Sequence, residues 1–177
     1  MSFVESYRGH LKADDEGQKS HSQSLESNLA SSESAITVAA ILEDKGHVVF
    51  SVGPSDTVRD AVQVLRTNRI GAVLVLGADG GLLGILSERD VVRELADTGE
   101  RVMTSPVTDL MTANPITCHP GERLIEMLRR MTEGRFRHLP VMDNDRLVGV
   151  VTIGDVVKHR LRELEYEALK MKQMIVG

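Results

Sequence analysis

The chain repeats itself, and that constrains its fold more than any other feature. Pro54, Val58, Ala61, Val62, Leu65 and Ile70 are matched 66 residues later by Pro120, Leu124, Met127, Leu128, Met131 and Phe136. Past a turn the spacing falls to 65, so that Leu82, Gly84, Ser87, Asp90 and Val91 meet Leu147, Gly149, Thr152, Asp155 and Val156. The lost residue falls in the turn, where Asp143-Asn144-Asp145-Arg146 replaces Gly77–Gly81 and a deletion is best tolerated. Upstream, Ala40-Ile41-Leu42 is matched by Asp109-Leu110-Met111. A unit of roughly 55–65 residues buries too little surface to be comfortable alone. The two copies are therefore expected to share one fold and pack sheet against sheet.

Each copy reads as strand–helix–strand–strand–helix. In the first, Val48-Val49-Phe50 is a short strand candidate and Pro54-Ser55-Asp56 a helix start, capped by Ser55 or Asp56. Val58, Ala61, Val62 and Leu65 make a helical stripe. The run Ala72–Leu76 suits a buried strand, Gly77–Gly81 a turn, and Leu82–Leu86 its hairpin partner. A second helix opens at Ser87-Glu88-Arg89-Asp90 and ends at Gly99. The fold class is α/β, two intertwined repeats with small, mostly antiparallel sheets flanked by helices.

Composition narrows the function. With 21 Lys plus Arg against 26 Asp plus Glu, the net charge of -5 offers no global field for nucleic acid or an anionic membrane. Aromatics make up only 3% with no Trp, so the core must be aliphatic and a base-stacking surface lacks its parts. A single cysteine, Cys118, excludes an internal disulfide and a four-cysteine zinc site. No apolar run is long enough to span a bilayer. Glu5, Asp14, Asp15 and Glu16 stand where a signal or transit peptide avoids acids, so the expected location is the cytoplasm. Residues 1–35, with nine Ser and ten hydrophobic residues, read as a flexible leader unable to offset its ordering entropy.

The repeated signature carries the chemistry. Gly84-Ile85-Leu86-Ser87-Glu88-Arg89-Asp90 and Gly149-Val150-Val151-Thr152-Ile153-Gly154-Asp155 share one design. A strand glycine admits another backbone or a flat ligand at close range. A hydroxyl then stands at a helix N-cap with a carboxylate three residues on. That pattern caps a helix. It also suits a sugar phosphate, because a helix start with a hydroxyl favours phosphate and a nearby carboxylate can accept both ribose hydroxyls.

These motifs, together with Val107-Thr108-Asp109-Leu110-Met111-Thr112 leading into Pro115-Ile116-Thr117, and Arg137-His138-Leu139-Pro140-Val141-Met142-Asp143, make the chain resemble a tandem pair of CBS domains (cystathionine-β-synthase-type). The resemblance covers about Ile36 to Lys158, in the group of small stand-alone two-repeat proteins. It implies two tandem β-α-β-β-α repeats packed as a pseudo-twofold module, with repeat 1 at 36–99, a linker at 100–106, repeat 2 at 107–158 and a helical extension at 159–177. It also implies two clefts for adenosyl ligands such as AMP, ADP, ATP, NAD(H) or S-adenosylmethionine, and dimerisation into a disc of four repeats.

Carried over residue by residue, Asp90 and Asp155 would hold ribose hydroxyls, and Ser87 and Thr152 would meet phosphate. The adenine would lie against His47-Val48-Val49 in one repeat and Asn114-Pro115-Ile116 in the other. Arg137 and His138 would contact phosphate, with Arg135 on the same approach. Repeat 1 has Gly71-Ala72 where repeat 2 has Arg137-His138, so the stronger phosphate site is expected in repeat 2, while Arg89, replaced by Gly154 there, adds a contact near the shared axis. Lys45 reads as a solvated loop lysine. The expected role is a regulatory sensor that needs no cofactor, is not an enzyme, and signals to a protein target or within a homodimer. Two alternatives are a structural dimerisation module with vestigial clefts and an enzyme acting on bound nucleotide through His138.

Other features carry less. No Walker loop, Gly-x-Ser-x-Gly elbow or Gly-x-Gly-x-x-Gly is present, and the six histidines form no helical zinc pair. Cys118 and His119 point to opposite faces of a short strand, and Cys118 packs as a small hydrophobe. Val157, Leu161, Leu164, Ala168, Met171 and Ile175 step by 4, 3, 4, 3, 4, extending the last helix past the repeat toward a second subunit or back onto its own domain.

Overall fold

The computed structural model describes residues 36–176, and the serine-rich segment at 1–35 lies outside them. The elements are α1 (Val38–Lys45), β1 (Ser51–Val52), α2 (Val58–Asn68), β2 (Ala72–Leu76), β3 (Leu82–Ser87) and α3 (Glu88–Thr98). Two 3₁₀ turns at Gly99–Thr104 and Val107–Asp109 lead to β4 (Thr112–Ala113), α4 (Leu124–Gly134), β5 (His138–Asp143), β6 (Arg146–Thr152) and α5 (Ile153–Val176). One sheet runs β1-β2-β3-β4, with β1 parallel to β2 and the others antiparallel. The other is the β5-β6 hairpin, to which Cys118 adds a parallel bridge at Val141. That bridge repeats the Val52–Val75 pairing of the first sheet.

The first strand starts later than its apolar run. Val48 is 70% exposed, and the strand forms at Ser51–Val52. The cap of α2 is Thr57 rather than Ser55 or Asp56. Thr57 Oγ1 accepts from Asp60 N at 3.2 Å, and the Asp60 carboxylate accepts from Thr57 N at 2.9 Å. This reciprocal box satisfies two otherwise orphaned donors.

The repeats exchange their leading segments. β4 precedes the second repeat's helix yet pairs with β3 of the first, Gly84 facing Ala113 and Ile85 facing Thr112. Reciprocally, α1 packs among Leu124, Met127, Met131, Leu139, Val141 and Val151 of the second repeat. Thr57 bridges Pro106, and its counterpart Arg123 bridges Thr37. Two aliphatic cores result. One joins Val38, Ile41 and Leu42 to the second repeat, and the other joins Val107, Leu110 and Met111 to the first. Burying these side chains against the opposite copy makes the pair one cooperative unit.

This exchange explains the strand glycines, which receive a side chain rather than a ligand. A β-carbon on Gly84 would overlap Met111 Sδ and lie 3.0 Å from the Thr112 carbonyl oxygen. A β-carbon on Gly149 would lie 2.7 Å from Leu42 Cδ2. Leu42 and Met111 hold equivalent positions in the two leaders.

Candidate functional site

Two cavities flank the centre of the module, each built from both repeats. The first, of about 390 Å³, has Ser87 and Asp90 on one wall and Thr112, Pro115 and Ile116 on another. Arg135, Phe136, Arg137 and His138 approach from the turn before β5. The second, of about 350 Å³, places Thr152 opposite Lys45, Gly46, Val48 and Phe50, with Arg69, Ile70 and Gly71 on the approach to β2. Both volumes suit a small organic ligand.

The motif residues adopt the same local geometry twice. Asp90 Oδ2 accepts from Ser87 N at 3.0 Å and Ser87 Oγ at 2.6 Å. Asp155 Oδ2 accepts from Thr152 N and Thr152 Oγ1, both at 2.9 Å. The helix behind each motif is anchored by a backbone bond, Glu88 N to the Gly71 carbonyl and Ile153 N to the Arg137 carbonyl. Each carboxylate therefore keeps its other oxygen, Oδ1, for a further donor.

The surroundings differ. Lys45 Nζ lies 2.7 Å from Asp155 Oδ2, whereas among the described residues no cation pairs with Asp90. Burial raises the pKa of Asp155, but hydrogen bonds from Lys45 and Thr152 outweigh it and hold the carboxyl below its ordinary value. Lys45 is thus no solvated loop lysine. It ends α1, and the exchange of leaders carries it to the opposite repeat's motif.

His138 borders both cavities. Its ring occupies room left by Gly71, where an added β-carbon would sit 3.2 Å from Cε1 and Nε2. Near the centre one copy can be bulky only because the other is small. Burial, aided by the charges of Arg137 and Lys45 and opposed by Asp155, pushes the His138 pKa down to about 4. The imidazole is neutral at neutral pH.

The cavities do not sort by repeat as the sequence suggests. Arg135, Arg137 and the Pro115-Ile116 wall face Asp90, while Val48 faces Thr152. The expectation of a more basic second-repeat cleft is reversed, because the basic residues preceding β5 turn toward the first repeat's motif. Arg89 borders the Asp90 cavity and donates to the Arg135 carbonyl at 3.2 Å. His47 and Asn114 lie outside both walls: His47 Nδ1 donates to the Val148 carbonyl, and Asn114 N to the equivalent Leu83 carbonyl. Both tie a leader to the opposite hairpin.

Arg69, Arg93, Phe50 and Leu74 also border the cavities and were not singled out from sequence. Arg69 had a signal, since it stands 66 residues before Arg135. Both close a helix in the left-handed region, at φ 54° and 55°, where glycine is usual. Strain held at equivalent positions beside two cavities marks them as functional candidates. Cys118 is buried, which pushes its thiol up to about 12 and leaves it unreactive. Among the described residues no group of acidic, His or Cys side chains has the grouping of a metal site.

Comparison with known proteins agrees with the duplication. The CBS domain model matches residues 33–97 and 107–162. The mitochondrial CBS domain-containing protein CBSX3 of Arabidopsis thaliana is 34% identical over 69% of this chain and 61% of its own length. The match thus spans less than two thirds of that relative. The crystal structure of the CBS-domain containing protein ATU1752 from Agrobacterium tumefaciens aligns with a TM-score of 0.70 at 41% identity, covering 73% of this chain and 96% of that one. The CBS domain protein PAE2072 from Pyrobaculum aerophilum, solved complexed with AMP, aligns at 0.61 with 25% identity, over 68% and 89%.

Proposed function

Because the chain belongs to the CBS domain family, we propose that it is a cytoplasmic regulatory sensor that binds adenine nucleotides in its two clefts. The observation that carries this reading is the repeated helix start at a ligand-sized cavity: Ser87 and Asp90 line the first opposite Pro115 and Ile116, and Thr152, hydrogen-bonded to Asp155, lines the second opposite Val48 and Phe50. The carboxylate Oδ1 suits ribose hydroxyls, the hydroxyl and nearby cations suit phosphate, and Pro115-Ile116 or Val48-Phe50 suit a flat base. The AMP held by the Pyrobaculum aerophilum neighbour supports the same ligand class.

Binding rather than catalysis fits the electrostatics. Among the described residues His138 is the imidazole that lines both cavities, and a pKa of about 4 makes it a weak base at neutral pH. Signalling follows from construction across the exchange. A ligand that grips Asp155 shares that carboxylate with Lys45, which ends α1, and so bears on the core of the opposite repeat. It shifts the module to the extent that it prefers one arrangement. Exposed Val92, Leu95, Val157 and Leu161 on α3 and α5 give such a shift a surface to act on, in a homodimer or a protein target.

Thermal-shift and calorimetric titration with AMP, ATP, NADH and S-adenosylmethionine tests the reading. At least one should raise the melting temperature by mass action, and Asp90→Ala and Asp155→Ala should each remove part of the binding. Absence of affinity for every adenosine compound would refute it and leave a structural dimerisation module.

A further inference from the structure

Resting on the reading of the clefts as ligand sites, we propose that the Asp90 cleft is built for a chain of two or more phosphates, and that it recognises this chain largely independently of the nucleoside. Arg89, Arg93, Arg135 and Arg137 all border this one cavity, and among the described residues Asp90 is the only acid on its wall. Among the described residues no carboxylate lies within ion-pair distance of any of the four. Like charges gathered around a cavity repel one another until an anion enters.

The charge exceeds what one phosphate can use. A phosphate monoester brings about two negative charges, which about two guanidinium groups balance, whereas four border this cavity against one carboxylate. A di- or triphosphate offers further oxygens along its length. The arginines are also spread for such a ligand: Arg89 and Arg93 stand a turn apart on α3, and Arg135 and Arg137 come from the segment before β5. Arg89 Nη1 bonds the Arg135 carbonyl and ties the two segments into one wall.

The duplicated cleft serves as an internal comparison. Its counterparts of Arg137 and Arg89 are Gly71 and Gly154, and its counterpart of Arg93 is Lys158, paired with Asp44 at 3.5 Å. Only Arg135 is repeated there, as Arg69. Duplication therefore does not account for the cluster. Arg135 itself holds a backbone conformation that glycine would occupy without strain, at φ 55°.

The test is calorimetric titration of the full chain with inorganic tripolyphosphate, orthophosphate, ATP, AMP and adenosine. ATP should bind at least about tenfold more tightly than AMP, and tripolyphosphate should compete with it. Arg135→Gly removes one guanidinium at a position that favours glycine, so folding is retained. It should weaken tripolyphosphate and ATP about tenfold while leaving adenosine unchanged. Asp90→Asn should strengthen tripolyphosphate binding and weaken AMP. AMP binding as tightly as ATP, or tripolyphosphate binding indifferent to Arg135→Gly, would overturn this inference and leave the nucleotide reading intact. Binding of tripolyphosphate with no adenosine compound bound would keep the phosphate site and overturn the nucleotide reading.

Discussion

The Asp90 and Asp155 clefts share a backbone plan and differ in almost every charge around it. In both, the motif carboxylate accepts from its own N-cap amide and hydroxyl. Beyond that, one carboxylate faces four arginines without a paired cation among the described residues, and the other is held by Lys45. Duplication preserved the backbone because the helix starts, strand glycines and exchanged leaders depend on one another sterically. Side chains aimed into the cavities carried no such obligation and diverged. Each cleft also draws walls from both repeats, so a substitution acts on the cleft it faces and not on the repeat that encodes it.

The largest effect should come from breaking the exchange itself. Gly84→Ala forces a methyl against Met111 and the Thr112 carbonyl, whereas Gly149→Ala meets the flexible end of Leu42. Overpacking of this kind costs about 2–3 kcal/mol where backbone must move and about 1–2 where a side chain can turn aside. Urea unfolding of the two variants measures the difference. Equal losses would mean that the two leaders are not seated as described.

Next in size is a pH effect centred on His138. Its folded pKa of about 4 lies below the ordinary 6.5, so the unfolded chain binds the extra proton first. The stability that the neutral ring contributes is intact above about 6.5 and is lost as pH falls toward 4, by on the order of 2 kcal/mol for a half-buried ring. Asp155, held below its usual value, adds a further loss at lower pH still, as the folded carboxyl takes its proton. His138→Gln should flatten the first window and leave the second, as followed by unfolding at pH 7, 5 and 4 for the first and at about pH 3 for the second.

The duplication, the hairpins and the two capping motifs were legible because each leaves a local signature: matched apolar spacing, Gly-rich turns, a hydroxyl three residues before an acid. The pairing of the clefts was not. A 66-residue offset shows which residues are equivalent, but a leader packed on its own repeat and one packed on the other yield the same periodicity. Thr112 and Ala113 could thus not be assigned to the first sheet from sequence. The strand placed at Val48–Phe50 failed for a related reason. Those apolar side chains are explained by a cavity wall that Val48 and Phe50 help to form, and sheet pairing begins after them. Lys45 looked solvated because its partner lies 110 residues away.

The lysine offers a smaller, sharper test of the contrast between the clefts. Lys45→Met frees Asp155 without touching the Asp90 wall. The pair is partly exposed, its side chains at 31% and 25%, so its removal is worth at most about 1 kcal/mol. Adenosine affinity at the Asp155 cleft should rise about threefold, and tripolyphosphate binding should not change. A fall in adenosine affinity would show that Lys45 belongs to the ligand site and does not block it.

The smallest effect concerns the starts of the first long helix of each repeat. At α2, Thr57 and Asp60 form a reciprocal cap, and at α4 the same positions hold Arg123 and Glu126 with no side-chain cap. In both, the first helical amide is satisfied by the exchanged leader, Val58 N by the Ser105 carbonyl and Leu124 N by the Ile36 carbonyl. The side-chain box is therefore an addition to an anchored helix rather than its foundation. Arg123 also buries its Nε with no partner among the described residues, a further cost. Arg123→Thr combined with Glu126→Asp should raise stability by about 0.5–1 kcal/mol, read as a shift in the urea midpoint at constant slope. No gain would mean that the apolar stem of Arg123 packs against α4 strongly enough to offset a missing cap, and that the two repeats are anchored by different means at this point.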